Sequence, residues 1–485
     1  MADPTVVEQP VNRQTAQELT SGDGNNNSVA VIPFIDISPN QNEKFYSDGI
    51  TIEILNALCR FEKINVVGQT SSFSFKNKNE DLRSIGEKLG VNYILEGSVQ
   101  KQENLIRISV RLTDTDNGYT IFSESYTDLL ENIFNLQSEI AMDIAEKVGS
   151  EFALEDNHLY SRKKINPLSY ETFLKGQSVF VNGPLNMKKS ELIEAKKYFK
   201  RAIELDPNFA EANAYLSLIY FNLADWGLTG EGEAAKKNAL DSAKLLAKRS
   251  HELDSLSSGA HLAMGSYYFH DFNWIQAETE KRKAVELNPG GAQEKLILAH
   301  FLMQFGQGEE ALDLFREAIK LDPLYPPGEM NYLWGLYFAE KFDEAIAKGK
   351  TLIQDDLASE GVYQCLFASY MGKNQTEEAR KAWIIFSESI NEHQMADFFR
   401  ENDFTTAIQK TLAYDEQHKI EFFETLIYKA SFYAFIYDKE NIMIELLAKT
   451  LQRCIYVFDA FGLTEDREKK IKVFNHSKDK PPFYL

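Results

Sequence analysis

Three histidines stand close together near the middle of the chain, His251, His261 and His270, and imidazoles at such density are side chains that can hold a transition metal. Their spacings, ten and nine residues, match no recognised ligand pattern, and no cysteine lies beside them. Structural or surface roles are therefore expected for all three, and no metal. Asp48, in the stretch YSDG, is a second candidate acid; next to Gly49 and near a helix start, it is expected to cap that helix and not to catalyse. GLTGEGEAAKK, Gly227 to Lys237, has the glycines of a phosphate-cradling loop, but no strand precedes it and Glu231 and Glu233 stand where phosphates would sit. A solvated loop between two helices is the expectation. The patterns G-x-x-x-x-G-K-[ST], H-E-x-x-H and G-x-S-x-G are absent. Cys59, Cys365 and Cys454 lie far apart and read as reduced thiols. No catalytic, cofactor-binding or metal-binding residue is nominated, and no cofactor is expected.

The elements that must position these residues are of two kinds. Over 485 residues, 44% hydrophobic and 12% aromatic side chains suffice for an extensive core. A net charge of -21 argues against nucleic acid and anionic lipid as partners. No apolar run reaches the roughly 18 residues that span a bilayer, and the polar start lacks the apolar core of a signal peptide. Residues 1–27 read as a flexible leader, and the sequence reads as soluble and cytoplasmic. The alternative is the soluble part of a membrane-anchored protein on the periplasmic side.

From Val29 an α/β pattern follows. VAVIPFIDI (29–37) is rich in β-formers, a helix is expected over Phe45–Phe61, a short strand over Ile64–Gly68, and a helix over Asp81–Gly90 with Gly90 terminating it. Three successive strands come next; in the middle one Ile106, Ile108, Val110 and Leu112 alternate with Arg107, Ser109, Arg111 and Thr113. A helix over Leu130–Phe152 closes a β-α-β-α-β-β-β-α order, a mixed sheet with helices packed on it. The blocks VAVIPFIDIS, FYSDGITIEIL, TSSFSFKNK, LGVNYILEGSVQK and LENIFNLQSEIA resemble the TolB-amino-terminal-like domain of bacterial signalling proteins, over residues 28–153. That resemblance implies a non-catalytic module, often fused to a membrane helix and to a nucleotide cyclase, kinase or DNA-binding effector.

The second kind is periodic. FREAIKLDPLY (315–325) repeats the ending of KRKAVELNPGG thirty-four residues earlier. The proline slot holds Pro207, Ser255, Pro289, Pro323 and Leu357, the last four at intervals of 34 and the first after 48, which is 34 plus a 14-residue insertion. Thirty-four is the length of a tetratricopeptide repeat. Small residues fit where two helices cross, aromatics fill the space between repeats, and proline after Leu-Asp turns the corner. Lys281 and Gly349 depart from the pattern by replacing aromatics.

The expected architecture is an N-terminal mixed-sheet α/β domain followed by an all-α tetratricopeptide superhelix: 154–165 as linker, 166–390 as about six helical hairpins, 391–485 as degenerate repeats and a cap. In this family the first helix of each repeat lines a concave groove. The resemblance thus nominates Phe173 and Phe180 at the start of the array, then Leu218, Phe221, Leu262, Phe269, His270, His300, Met303, Met330, Trp334, Tyr337 and Met371. Of these, Phe221, Phe269, His270, His300, Met303, Trp334, Tyr337 and Met371 are the candidate peptide-binding positions; the competing reading is that several simply pack against neighbouring helices. The functional expectation is a non-enzymatic sensor or scaffold binding protein or peptide partners in bacterial signal transduction. Its alternative is the regulatory half of a membrane-anchored nucleotide cyclase or kinase.

Overall fold

The computed structural model describes residues 27–39, 44–78, 80–149, 164–180, 189–225 and 233–418. The leader, most of the linker and of the glycine-rich loop, Cys454, the helices expected beyond 418 and the tail lie outside the described residues. Two compact units divide the chain: the first runs to Leu298 and adds Arg316–Gly328, and the second comprises Ala299–Phe315 and everything from Glu329.

The first unit opens with a mixed sheet. β1 (Ser28–Val31) and β2 (Ile35–Asp36) precede α1 (Lys44–Leu58); β3 (Asn65–Val66), α2 (Gln69–Phe73) and α3 (Leu82–Leu89) precede the long strands β4 (Tyr93–Gln102), β5 (Leu105–Asp114) and β6 (Thr120–Leu129), and α4 (Ile133–Lys147) follows. The strand order is β3-β1-β4-β5-β6, with β2 also on β4. β1 and β2 run parallel to β4, while β4, β5 and β6 are antiparallel neighbours.

The single strand expected over 29–37 is therefore two. Val29 pairs with Tyr93, an offset of 64, whereas Ile35 pairs with Ser98, an offset of 63, so one extra residue bulges between them. Pro33 explains the break, since it cannot donate to a ladder; Phe34 N–H turns aside to the Thr51 hydroxyl at 2.9 Å. Two other expectations hold in detail. Gly90 ends α3 in the left-handed region at φ +67°, and Ile106, Ile108, Val110 and Leu112 are buried. The short α2 was not expected.

Helical hairpins follow: α5 (Pro167–Phe180) with α6 (Lys189–Leu205), α7 (Ala210–Asp225) with α8 (Glu233–Leu253), and α9 (Ser258–His270) with α10 (Trp274–Leu287). The chain continues through α11 (Ala292–Gln304), α12 (Gly308–Leu321), α13 (Pro326–Phe338), α14 (Phe342–Gln354), α15 (Glu360–Gly372), α16 (Thr376–Ser389), α17 (His393–Glu401) and α18 (Phe404–His418). None of the described helices is long and apolar enough to cross a membrane.

Small residues do close the crossings. A Cβ on Gly176 would stand 2.8 Å from the Phe199 ring, and Ala195, Ala202, Ala243, Ala247, Ala277 and Ala284 are fully buried. Where serine takes such a place its hydroxyl bonds the facing helix, as Ser169 does to the Ala202 carbonyl and Ser217 to the Ala243 carbonyl, both at 2.8 Å. The 34-residue period is also written in the backbone. Phe272, Gly306, Glu340 and Asn374, 34 apart, each turn between helices with φ of +57°, +73°, +59° and +56°.

In the second unit, α13 to α18 share a core around Trp383, whose ring lies 4.9 Å from Phe367 and 5.7 Å from Phe399.

Candidate functional site

The sheet domain and the first hairpins share one apolar core. Val29, Val31, Leu95, Ile106 and Ile108 of the sheet, Ile50 and Ile54 of α1, and Tyr170, Phe173, Leu174 and Phe199 of the first hairpin belong to it together. A Cβ on Gly49 would meet Leu174 Cδ2 at 2.5 Å, so α1 lies directly on α5. Polar contacts border the seam: Tyr46 Oη donates to Glu171 at 2.9 Å, Gln137 to Tyr170 Oη at 2.7 Å and Gln177 to Glu53 at 2.7 Å. Burial pushes the Glu53 carboxyl up, opposed by its bond from Gln177. Burial likewise raises Glu211, to about 7, with Asp254 and Glu53 adding to the shift.

Two of the repeated corner phrases hold the same domain. Gly290 N–H donates to the Cys59 carbonyl at 2.8 Å. Asp322, the acid of Leu-Asp-Pro, accepts from the Ser71 amide at 2.7 Å and from the Ser71 hydroxyl, and Gly68 N–H donates to the Leu321 carbonyl at 2.6 Å. Burial raises Asp322 despite these bonds. The corner residues thus act as ligands for the α/β domain as well as turning the chain.

This packing decides the fate of the nominated groove positions. Phe173 is fully buried in the shared core and faces no solvent. In the first unit Phe221 is buried too, its ring stacked on His270 at 4.8 Å with 4° between planes. His270 and Phe269 are half-buried; His270 Nε2 lies 3.3 Å from Asp225, and Phe269 packs 5.3 Å from Trp274. Beside them is Lys281, the residue that departs from the repeat pattern. It is buried, and that burial pushes its ammonium down to about 8, opposed by the Asp225 carboxylate.

In the second unit Met303 and Met371 are buried. His300 packs 5.2 Å from the Phe315 ring, and burial pushes it down to about 4, opposed by Asn331. By accessible surface His300 is half-buried. Trp334 and Tyr337 are half-buried, edge to face at 5.6 Å on α13. Three of the eight positions lie in one unit and five in the other; Phe269–His270 in the first and Trp334–Tyr337 in the second are pairs of half-buried rings.

Two further expectations change. Asp48 does not cap a helix; it lies inside α1 and pairs with Lys76 at 2.5 Å. The three histidines do not act alike, because His251 and His261 meet while His270 goes to Phe221 and Asp225. The partner of the first two, Glu280, carried no signal in the sequence, being one of the three acids Glu278, Glu280 and Glu286 on α10. Cys59 and Cys365 are buried free thiols, and burial pushes both up.

Residues 25–142 match the family model described as the second domain of HilA/YgeH-like transcriptional regulators, and residues 185–209 match a tetratricopeptide repeat. The hairpins are thus of tetratricopeptide type, while the model that matches the sheet domain is not a TolB one. The chain is 33% identical over 193 residues to "Putative adenylate cyclase 3" of Rhizobium meliloti (strain 1021), spanning 40% of this chain and 32% of that protein. It is 23% identical over 366 residues to "Transcriptional regulator HilA" of Salmonella typhimurium, spanning 73% of this chain and 62% of the relative. Among solved structures it is similar to YrrB, described as a TPR protein with an unusual peptide-binding site, at 19% identity and a TM-score of 0.30 over 42% of this chain and 98% of that one. It is also similar to Pseudomonas aeruginosa pilF, at 14% identity and a TM-score of 0.35 over 48% and 97%. The expected exclusion of nucleic acid rests on net charge alone and draws no support from the likeness to transcriptional regulators.

Proposed function

We propose that this chain is a non-catalytic protein-interaction scaffold of bacterial signal transduction. Its repeats hold their own N-terminal module at the first hairpin and offer Trp334 and Tyr337 to a protein or peptide partner. The observation that carries this reading is the unequal burial of the nominated positions. Phe173 is consumed by the internal core, while Trp334 and Tyr337 keep aromatic surface. Half-exposed aromatics on a rigid helix supply contact area at low entropic cost, which suits an amphipathic or extended segment. The sheet domain is assigned here to the TolB-amino-terminal-like modules on the sequence blocks quoted above, in the role of a sensor. Peptides selected by phage display against the whole chain test the proposal. They are expected to bind with an affinity that falls at least tenfold in Trp334→Ala/Tyr337→Ala, with helical circular dichroism retained. Equal binding by the double variant overturns it.

A second reading is favoured by coverage, since the chain matches 32% of the relative named an adenylate cyclase. In that reading it is the regulatory half of a membrane-anchored cyclase or kinase. The chain by itself is then expected to form no cyclic AMP from ATP; measurable formation would refute the non-catalytic assignment.

A further inference from the structure

The chain packs two imidazoles and a carboxylate at a corner where its repeat phrase has lost its proline. His251 lies in the last turn of α8, His261 in the first turns of α9 and Glu280 in the middle of α10. One donor atom from each lies within 4.8 Å of the others. The two imidazole rings stand edge to face at 5.0 Å. His261 is buried, and His251 and Glu280 are half-buried, so the cluster is enclosed on one side and reachable on the other.

We propose that His251, His261 and Glu280 bind a divalent transition-metal ion, zinc in the first instance, which fastens three successive helices at the corner where Ser255 stands in the proline slot. Two observations carry it. The first is the donor set: two neutral nitrogens and one carboxylate from three elements suit zinc and leave a fourth position for water. Ligand atoms about 2.0–2.2 Å from a shared ion are about 3.5 Å apart, within reach of side-chain rotation here. The second is the outer hydrogen bond. His261 Nε2 lies 3.0 Å from the Ser255 carbonyl oxygen, which only accepts, so the ring proton sits on Nε2. A bond of this kind orients metal-ligating histidines. It leaves Nδ1 facing the Glu280 carboxylate at 2.5 Å. At that separation the pair shares a proton, because two ligands of one metal ion stand about 3.5 Å apart; a bound ion would replace that proton as the pair opens.

The test separates those two. The full chain, stripped with chelator, is titrated with zinc by calorimetry and with cobalt(II) by visible absorption. One equivalent in the micromolar range or tighter is expected, with the absorption of a four-coordinate ion and a higher thermal midpoint. His251→Ala and Glu280→Gln, both at half-buried positions, are each expected to weaken binding about tenfold or more and to abolish the thermal shift. Their circular dichroism in chelator should match the parent's, and His393→Ala should bind as the parent does. No saturable binding, or binding that survives both substitutions, leaves only a proton between His261 and Glu280 and overturns the proposal.

Discussion

Glu340 is a non-glycine residue held at φ +59° in a turn where the preceding repeat has Gly306. Its side chain is exposed, so nothing evident offsets the crowding of Cβ against the carbonyl. Glu340→Gly is expected to stabilise the protein by about 0.5–1 kcal/mol, read as a higher urea midpoint at unchanged slope. A lower midpoint would contradict this. Glu211 yields a pH dependence. Burial raises its carboxyl from 4.5 to about 7, so between those values the folded chain binds a proton that the unfolded chain has released. Stability from this group is therefore present at low pH and lost as pH rises through about 7. The advantage of Glu211→Gln over the parent should grow from pH 5 to pH 8 in parallel denaturation curves; a flat difference would count against it. Neither position was legible beforehand. The αL slot shows in sequence only as Gly306 and Asn374, and the burial of Glu211 depends on a domain packed from elsewhere in the chain.

Among the elements, legibility followed the physics of each signal. Alternation in β5 and the Gly90 stop of α3 are local, and the structure repeats them. The repeat period survives insertion because the alanine and glycine crossings are set by pairs of neighbouring helices. The β1–β2 break needed Pro33 to be weighed as a missing donor. The five-residue α2 is held by Asp322, some 250 positions away, and no window of sequence contains that pair. The groove positions were read from the family's geometry, which takes no account of a module packed against the first hairpin. The contact between α1 and α5 gives the prediction at this scale. Gly49→Ala places a methyl 2.5 Å from Leu174 Cδ2 and is expected to cost about 1–3 kcal/mol, measured by chemical denaturation. A neutral substitution would contradict close packing of Leu174 on Gly49.

At the scale of the whole molecule, the shared core joins a sheet domain and a helical array that composition alone would keep apart. Leu174→Ala, a change in the first repeat, should cost about 2–4 kcal/mol. It should also lower hydrogen-exchange protection in β1 and β4 together with α5. Loss confined to α5 would separate the two. The central claim is that this assembly works by holding a partner on the aromatic face of α13. A photo-crosslinking residue placed at Tyr337, and as a control at the exposed Tyr119 of the hairpin before β6, tests it most directly with a display-selected peptide. The account predicts capture at position 337 and none at 119; equal capture at both, or capture at 119 alone, would contradict it.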